Sequence, residues 1–483
     1  MKDIKNKTVR AMGWVLLSKV TTQALSFCFG IVLARLLVPD DFGLMVMVSV
    51  FIGFASLFAD VGFGQALIQK QNAHEAHYSS IFWMNCIVAV FLAGTMYFSA
   101  HAIADFYHRP ELIEITQVVS IVFIIGAISF IPRVKLTKKL EFKTVSLAEL
   151  WAMMLSGVVA IFLAKNGYGY WSLLIHKILQ QVIIAVILVG AVRWLPKPMM
   201  RVTAIRDLFN FSASVFGTRL LQFFSANTDK VMLGKYLGAS ELGIYDKAQS
   251  MMFFPLTTIS HSVGSVMFPS LSLIQDDKER VRNIYLRSVC SIALVTFPMM
   301  AGMFVVADAF VYGVLGEQWE EIIPILKIFC IAGLFSSIAA VTGNIYLSQG
   351  AAGLQFRVNL VTQPLKIVCV LLGLYWGAQG VAVGFVVAIV INTVITLTIA
   401  GSLIHLKLSR LLMKLAPILL PSILMAGVVH YGVFFLQEYD PLSQVMLQAI
   451  LGIFVYWLLL GIFRVESYRD IVEVMREQVV GRK

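Results

Sequence analysis

The stretch QGVAVGFVVAIVINTVITLTIAG, residues 379–401, carries no charged side chain. Coiled as a helix rising 1.5 Å per residue, it covers the hydrocarbon core of a bilayer, about 30 Å thick. A membrane-barrel strand would alternate apolar and polar residues over about ten positions, whereas this run is continuously apolar, so a helix is predicted. Comparable stretches recur from end to end, at 11–36, 43–67, 79–103, 112–132, 145–164, 170–192, 208–233, 241–268, 286–307, 322–348, 358–376, 379–401, 415–436 and 442–463. The expected fold is therefore an all-α membrane protein with about fourteen transmembrane helices. The whole composition agrees: 59% of the 483 residues are hydrophobic, 13% are charged and mean hydropathy is +0.84, which excludes a chain of soluble domains.

A formal charge of +11 would suggest nucleic acid in a soluble protein, so the placement of the charges decides its meaning. They gather on alternate loops. One side collects Lys2, Lys5, Lys7 and Arg10, then Lys70, then Arg133 to Lys143, then Arg193 to Arg206, Lys278 to Arg287, Arg357, and Lys407 to Lys414. The other side holds Arg35, Arg109, Lys165 and Lys235 beside acids such as Asp40, Asp41, Glu317, Glu438 and Asp440. That is the positive-inside bias, which puts both termini of a multi-pass inner-membrane protein in the cytoplasm and leaves no role for nucleic acid. The basic, apolar N-terminus is similar to a signal peptide, but Lys19 interrupts it and its apolar stretch is too long, so a retained first helix is expected. Cys28, Cys86, Cys290, Cys330 and Cys369 all fall within spans and lack metal-ligand spacing; they are expected to act as small apolar residues.

Shifting the chain by 200 positions brings Lys19 onto Arg219, Leu33 onto Leu233, Arg35 onto Lys235, Asp41 onto Glu241, Gly43 onto Gly243 and Gly64 onto Gly264. Further along the offset drifts, with Leu140-Glu141-Phe142-Lys143 similar to Leu354-Gln355-Phe356-Arg357. Matched charges and glycines carry this argument, since leucine matches arise by chance in any membrane protein. Six helices repeat, and an even number makes the copies parallel, related by an axis along the membrane normal. The expected organisation is an N-lobe (1–200), a C-lobe (201–405), two further helices (406–464) and a cytoplasmic amphipathic tail (465–483). Two such lobes imply a cleft between them, where secondary transporters hold substrate.

An ionised side chain at mid-membrane costs about 2.5–3.5 kcal/mol even on the lenient insertion scale, so each must face water, a partner or a substrate. On the first helix Lys19, Thr22, Gln23, Ser26 and Gly30 share a face at 100° per residue, and on the seventh Ser212, Arg219, Gln222, Ala226, Asp229 and Lys230 do the same. The second helix adds Ser49, Gly53, Ser56, Asp60 and Gly64, a small, polar stripe suited to close packing or cavity lining. Lys19, Arg219 and Lys230, with Gln23 and Gln222, are the candidates for binding an anionic headgroup. Asp60 and Asp229 are candidates for a coupling-ion site, for Na+ or H+, or for pairing with those cations. The competing reading has Lys19 and Arg219 snorkelling to the headgroups and Asp229-Lys230 forming a structural pair. No catalytic residues, resident cofactor or metal site are expected. His74-Glu75-Ala76-His77 lacks the spacing of a zinc-protease helix and is expected to be a solvated loop, and the absence of a Walker-type loop argues against direct ATP drive.

Further fragments carry a resemblance: Leu33-Ala34-Arg35-Leu36-Leu37 followed by Asp41-Phe42-Gly43-Leu44, Asp60-Val61-Gly62-Phe63, Leu67-Ile68-Gln69-Lys70, Phe268-Pro269, Ile274-Gln275-Asp276-Asp277, and Gly316-Glu317-Gln318-Trp319 with Ile323-Pro324-Ile325-Leu326. In order and spacing they resemble the Wzx-type, colanic acid exporter-like polysaccharide branch of the multidrug/oligosaccharidyl-lipid/polysaccharide exporter superfamily. The resemblance implies a MATE-like fold and a flippase, not an enzyme. Its implied substrate is an undecaprenyl-diphosphate-linked oligosaccharide, moved by alternating access for exopolysaccharide or lipopolysaccharide biosynthesis, with a polysaccharide polymerase or assembly proteins as partners. A diphosphate needs cations in its cavity, which suits Lys19 and Arg219. The alternatives are a cation-coupled drug antiporter of the same superfamily, which would need acids, and a membrane-embedded polymerase, which would carry a long outer loop that this chain lacks.

Overall fold

The computed structural model describes residues 2–59, 62–70, 72–201, 220, 223–224, 226–436, 438–463, 465 and 468–469. All the regular structure among them is helical. Ten stretches among the described residues are long and apolar enough to cross a membrane, three of them, Glu111–Lys138, Ile322–Ser348 and Ala352–Leu403, each comprising two α-helices. Contacts divide the chain into two compact units, Met1–Gly243 and Ile244–Lys483.

The first unit contains α1 (Lys2–Leu36), α2 (Pro39–Ala59), α3 (Phe63–Gln69), α4 (Glu75–Tyr107), α5 (Glu111–Val119), α6 (Ile121–Lys138), α7 (Phe142–Lys165), α8 (Tyr170–Val192), α9 (226–237) and the first turn of α10 (Ala239–Ser272). Helix α1 lies along α7, where a Cβ added to Gly157 would stand 2.7 Å from the Phe29 ring. Leu33 and Leu37 bury against Ala160 and Ala164 in the same seam. Small residues on one helix and bulky ones on the other let the backbones approach closely, the usual source of helix association in lipid. Helix α8 packs on α7 and α6, and α4 on α6. Near the start of α2, Arg109 clamps Asp40 through two parallel bonds of 2.9 and 2.5 Å and reaches Glu111 at 3.2 Å. These carboxylates hold the guanidinium pKa above its ordinary value.

The second unit places α11 (Lys278–Phe310) against α12 (Ile322–Ala339), α16 (Leu408–Gly432) and α17 (Pro441–Ile462), while α14 (Ala352–Gly373) pairs with α15 (Gly377–Leu403). The last pair meets backbone to backbone: a Cβ on Gly384 would lie 2.2 Å from the Cys369 carbonyl oxygen. Short α13 (Gly343–Ser348) follows α12. Tyr285 Oη and Thr342 Oγ1, 2.9 Å apart, join α11 to the break between α12 and α13.

Several turns between helices take a positive φ. The turn before α7 has Leu140 at φ +60°, and that before α14 has Gly350 at φ +68°. The turn before α8 uses Gly169 at φ +50°, and Gly377 at φ +71° opens α15. Glycine enters this left-handed region without steric cost.

Three expected spans are interrupted. The run 43–67 divides into α2 and α3, with Gly62 at φ +94° opening the second; 112–132 breaks at Ser120; and 322–348 breaks after Ala339. Around Ser120 and after Ala339 no charged residue interrupts the run, so hydropathy alone does not place those two breaks, whereas the first falls beside Asp60. The His74-to-His77 segment is not a solvated loop. It starts α4: His77 Nδ1 accepts the His74 amide at 3.2 Å, the His74 side chain receives the His77 backbone amide, and His77 is buried. Imidazoles here satisfy amide donors that a helix start leaves open. All five cysteines are free, Cys290 and Cys330 buried and Cys28 exposed.

Candidate functional site

The polar stripe on α1 opens into a cavity of about 460 Å³. Ser18, Lys19, Thr22, Gln23 and Ser26 form one wall, and Phe142, Val145, Ser146, Glu149 and Met153 of α7 form the other. At one edge Ser18 Oγ donates to Ser146 Oγ at 2.8 Å, fixing the register of the two helices. Residues three and four apart fall on one helix face, so the α1 stripe was foreseeable, and Lys19 with Gln23 sits as its spacing requires.

The opposite wall was not foreseen. Glu149 faces the cavity and accepts a bond from Arg133 Nη1 at 2.8 Å, α7 to α6. A carboxylate four residues into a span expected at 145–164 is itself a signal, because such a charge needs a partner. Lys19, Glu149 and Arg133 leave the neighbourhood with one more positive than negative charge. Thr22, Gln23, Ser26 and Ser146 line it with hydroxyl and amide groups able to exchange bonds with a sugar or with phosphate oxygens. Close to the start of α7, the Lys143 ammonium lies 5.1 Å from the centre of the Trp14 ring.

The other predicted residues distribute differently. Asp229 is 1% exposed, and its carboxylate accepts the Lys230 backbone amide at 3.1 Å; neither residue lines the α1–α7 cavity. Asp60, Arg219 and Gln222 lie outside the described residues. The stripe on α2 serves packing and not one shared cavity. Ser49 Oγ accepts a bond from Lys177 Nζ of α8 at 3.0 Å, Ser56 bonds back to the Ile52 carbonyl, and a Cβ on Gly53 would stand 3.0 Å from the Phe223 ring.

A second feature of this unit is the meeting of the first turns of α2 and α10. A Cβ on Gly43 would lie 1.7 Å from the Ala239 carbonyl oxygen, and one on Gly243 would lie 2.1 Å from that of Pro39. Positions 39 and 43 thus meet 239 and 243 reciprocally, each glycine accepting the carbonyl of the other helix.

Residues 32–324 match the model of a family described as polysaccharide biosynthesis protein. The teichuronic acid biosynthesis protein TuaB of Bacillus subtilis is 30% identical over 82% of this chain and 83% of its own. The lipopolysaccharide biosynthesis protein WzxC of Escherichia coli is 24% identical, over 82% and 81%. Among solved structures, the lipid II flippase MurJ in an inward closed conformation superposes with a TM-score of 0.77 at 16% identity, over 94% of this chain and 99% of that one. An inward-facing MATE multidrug transporter gives 0.62 at 14% identity, over 80% and 94%. The likeness in structure establishes a MATE-like all-α membrane fold, and by its sequence this chain belongs to the polysaccharide biosynthesis protein family.

Proposed function

We propose that this chain is a flippase for polyprenyl-diphosphate-linked oligosaccharides, moving glycan repeat units across the bacterial inner membrane for surface-polysaccharide assembly. The observation that carries the reading is the α1–α7 cavity, in which Lys19 sits among Thr22, Gln23 and Ser26 in a chain of this family. An ammonium suits a diphosphate, and hydroxyl and amide walls suit a sugar. A cationic drug would need a surplus of acid. The one carboxylate on this cavity, Glu149, is already engaged by Arg133.

Membrane orientation follows from the loops, whose lysines and arginines gather on the side of both termini, so those termini are cytoplasmic in this reading. The prenyl chain stays in lipid while the headgroup crosses by alternating access. Arg219 supplies the C-lobe cation equivalent to Lys19, Gln222 and Lys230 add donors, and Asp60 or Asp229 couples the cycle to Na+ or H+. A polysaccharide polymerase receives the product.

The test is reconstitution in liposomes carrying fluorescent undecaprenyl-diphosphate oligosaccharide, with leaflet exposure read by a membrane-impermeant quencher. Protein-dependent movement between leaflets is expected. Its absence, for a folded protein supplied with Na+ or H+ gradients, would overturn the assignment.

A further inference from the structure

The same unit contains a second cavity, of about 830 Å³, between α2, α4 and α9. Its walls are aromatic: Phe51, Phe54 and Phe58 from α2, Phe91 and Phe106 from α4, Phe223 and Phe224 from the chain leading into α9. Phe54 lies at the centre, its ring 5.3 Å from Phe58 and 5.8 Å from each of Phe223 and Phe224. Three of the four polar side chains on the walls bond back to their own helices. Thr95 Oγ1 bonds the Phe91 carbonyl at 2.9 Å, Asn227 Nδ2 that of Phe223 at 2.9 Å, and Thr228 Oγ1 that of Phe224 at 2.6 Å. Phenylalanine, leucine, isoleucine, valine and methionine side chains outnumber these few polar groups on the walls, so the cavity suits an apolar occupant.

One end of this cavity is charged. Lys235, about one turn beyond the last lining residue of α9, donates to the Phe106 carbonyl at 2.5 Å, its ammonium 4.3 Å from the centre of the Phe106 ring. Phe106 is itself a wall of the groove. Among the described residues no carboxylate lies within ion-pair distance of that ammonium. An apolar slot closed by a cation matches a lipid whose apolar chain ends in an anionic head. The slot is broad and walled by tilted or edge-on rings, which favours a methyl-branched chain over a slim linear one. Lys235 stands on the loop side opposite the basic one, the outer leaflet in the proposed orientation.

We infer that the α2/α4/α9 groove binds the polyprenyl chain of the carrier lipid, with Lys235 facing its diphosphate at the outer leaflet. The inference rests on the proposed flippase function and locates the tail away from the headgroup cavity at Lys19.

The experiment places the photoreactive residue p-benzoylphenylalanine at Phe54 in the full chain. A control carries it at Phe454, an exposed lipid-facing position on α17. Each is reconstituted in phosphatidylethanolamine/phosphatidylglycerol liposomes with a small mole fraction of radiolabelled undecaprenyl diphosphate. Adducts at position 54 enriched in the prenyl lipid over those at 454 are expected. Lys235→Ala lowers that enrichment about fivefold, the equivalent of about 1 kcal/mol for a lysine facing an anionic lipid, and Lys235→Arg retains it. Ala102→Trp fills the groove and removes the enrichment in a protein that still folds. Adducts at both positions in the bulk lipid ratio would show ordinary boundary phospholipid and overturn the inference. A wild-type protein that flips oligosaccharide without enrichment at 54 sinks the groove alone. Enrichment without flipping leaves the groove and sinks the proposed function.

Discussion

Gly43→Ala and Gly243→Ala should each force apart the first turns of α2 and α10. A Cβ at position 43 would stand 1.7 Å from the Ala239 carbonyl oxygen, and one at 243 would stand 2.1 Å from that of Pro39. Both obstacles are helix backbone, so no rotamer change relieves them and the helices must separate by roughly an ångström. Overpacking of this kind costs about 1–3 kcal/mol, which shifts the equilibrium between touching and separated helices by roughly 5- to 150-fold. The assay is pulsed electron resonance between spin labels at Val38→Cys and Tyr236→Cys, both exposed beside the crossing, in a background without native cysteines. Each alanine should lengthen the distance distribution and slow lipid-linked oligosaccharide movement. The double variant should do less than the sum, because one separation relieves both clashes. Gly427→Ala is the control: it has open space around it and should leave distance and rate unchanged. Unaltered distributions and rates in both crossing variants would refute the reasoning.

At the α1–α7 cavity, Lys19→Ala should lower flipping at least about tenfold while Lys19→Arg retains most of it, since loss of a charge-assisted bond to phosphate removes about 1.5–3 kcal/mol; equal loss in both would point to packing instead of charge. Glu149→Gln should leave the Arg133 charge uncompensated and tighten headgroup binding, seen as a lower KM for lipid-linked substrate. Ser49→Val strands the Lys177 donor inside the first unit and should destabilise it by about 1–3 kcal/mol, measured as a drop in Tm in detergent. Asp440 caps α17 by accepting the Ser443 amide, and hydrogen bonds from the Ser443 hydroxyl and then from that amide hold its carboxyl below the usual carboxylate range. The cap is therefore fully present above the ordinary carboxylate pKa of about 3.9 and is lost as pH falls through the lower folded value. Asp440→Ala should speed amide exchange in the first turn of α17 at neutral pH, and acidification should do the same only in the parent protein.

The sequence by itself determined the medium, the helices and the family. Apolarity is a local, additive property, so a run such as 379–401 reads as α15 without any neighbour. Helical spacing is equally local, and it placed Lys19, Thr22, Gln23 and Ser26 on one face that the structure opens to a cavity. The repeat was legible through matched glycines and charges, but Gly43 and Gly243 appeared only as equivalent positions. That they touch, each against the carbonyl four residues before the other, was decided by tertiary packing. The same holds for Glu149 opposite Lys19, for Lys177 on Ser49, and for seven phenylalanines converging on one groove with a lysine at its end. The breaks at Ser120 and after Ala339 were hidden too, because no charged residue interrupts the run across them. Lipid tells a residue only whether it can be buried; which helix buries it depends on partners far away along the chain, and single-sequence periodicity carries no information about those.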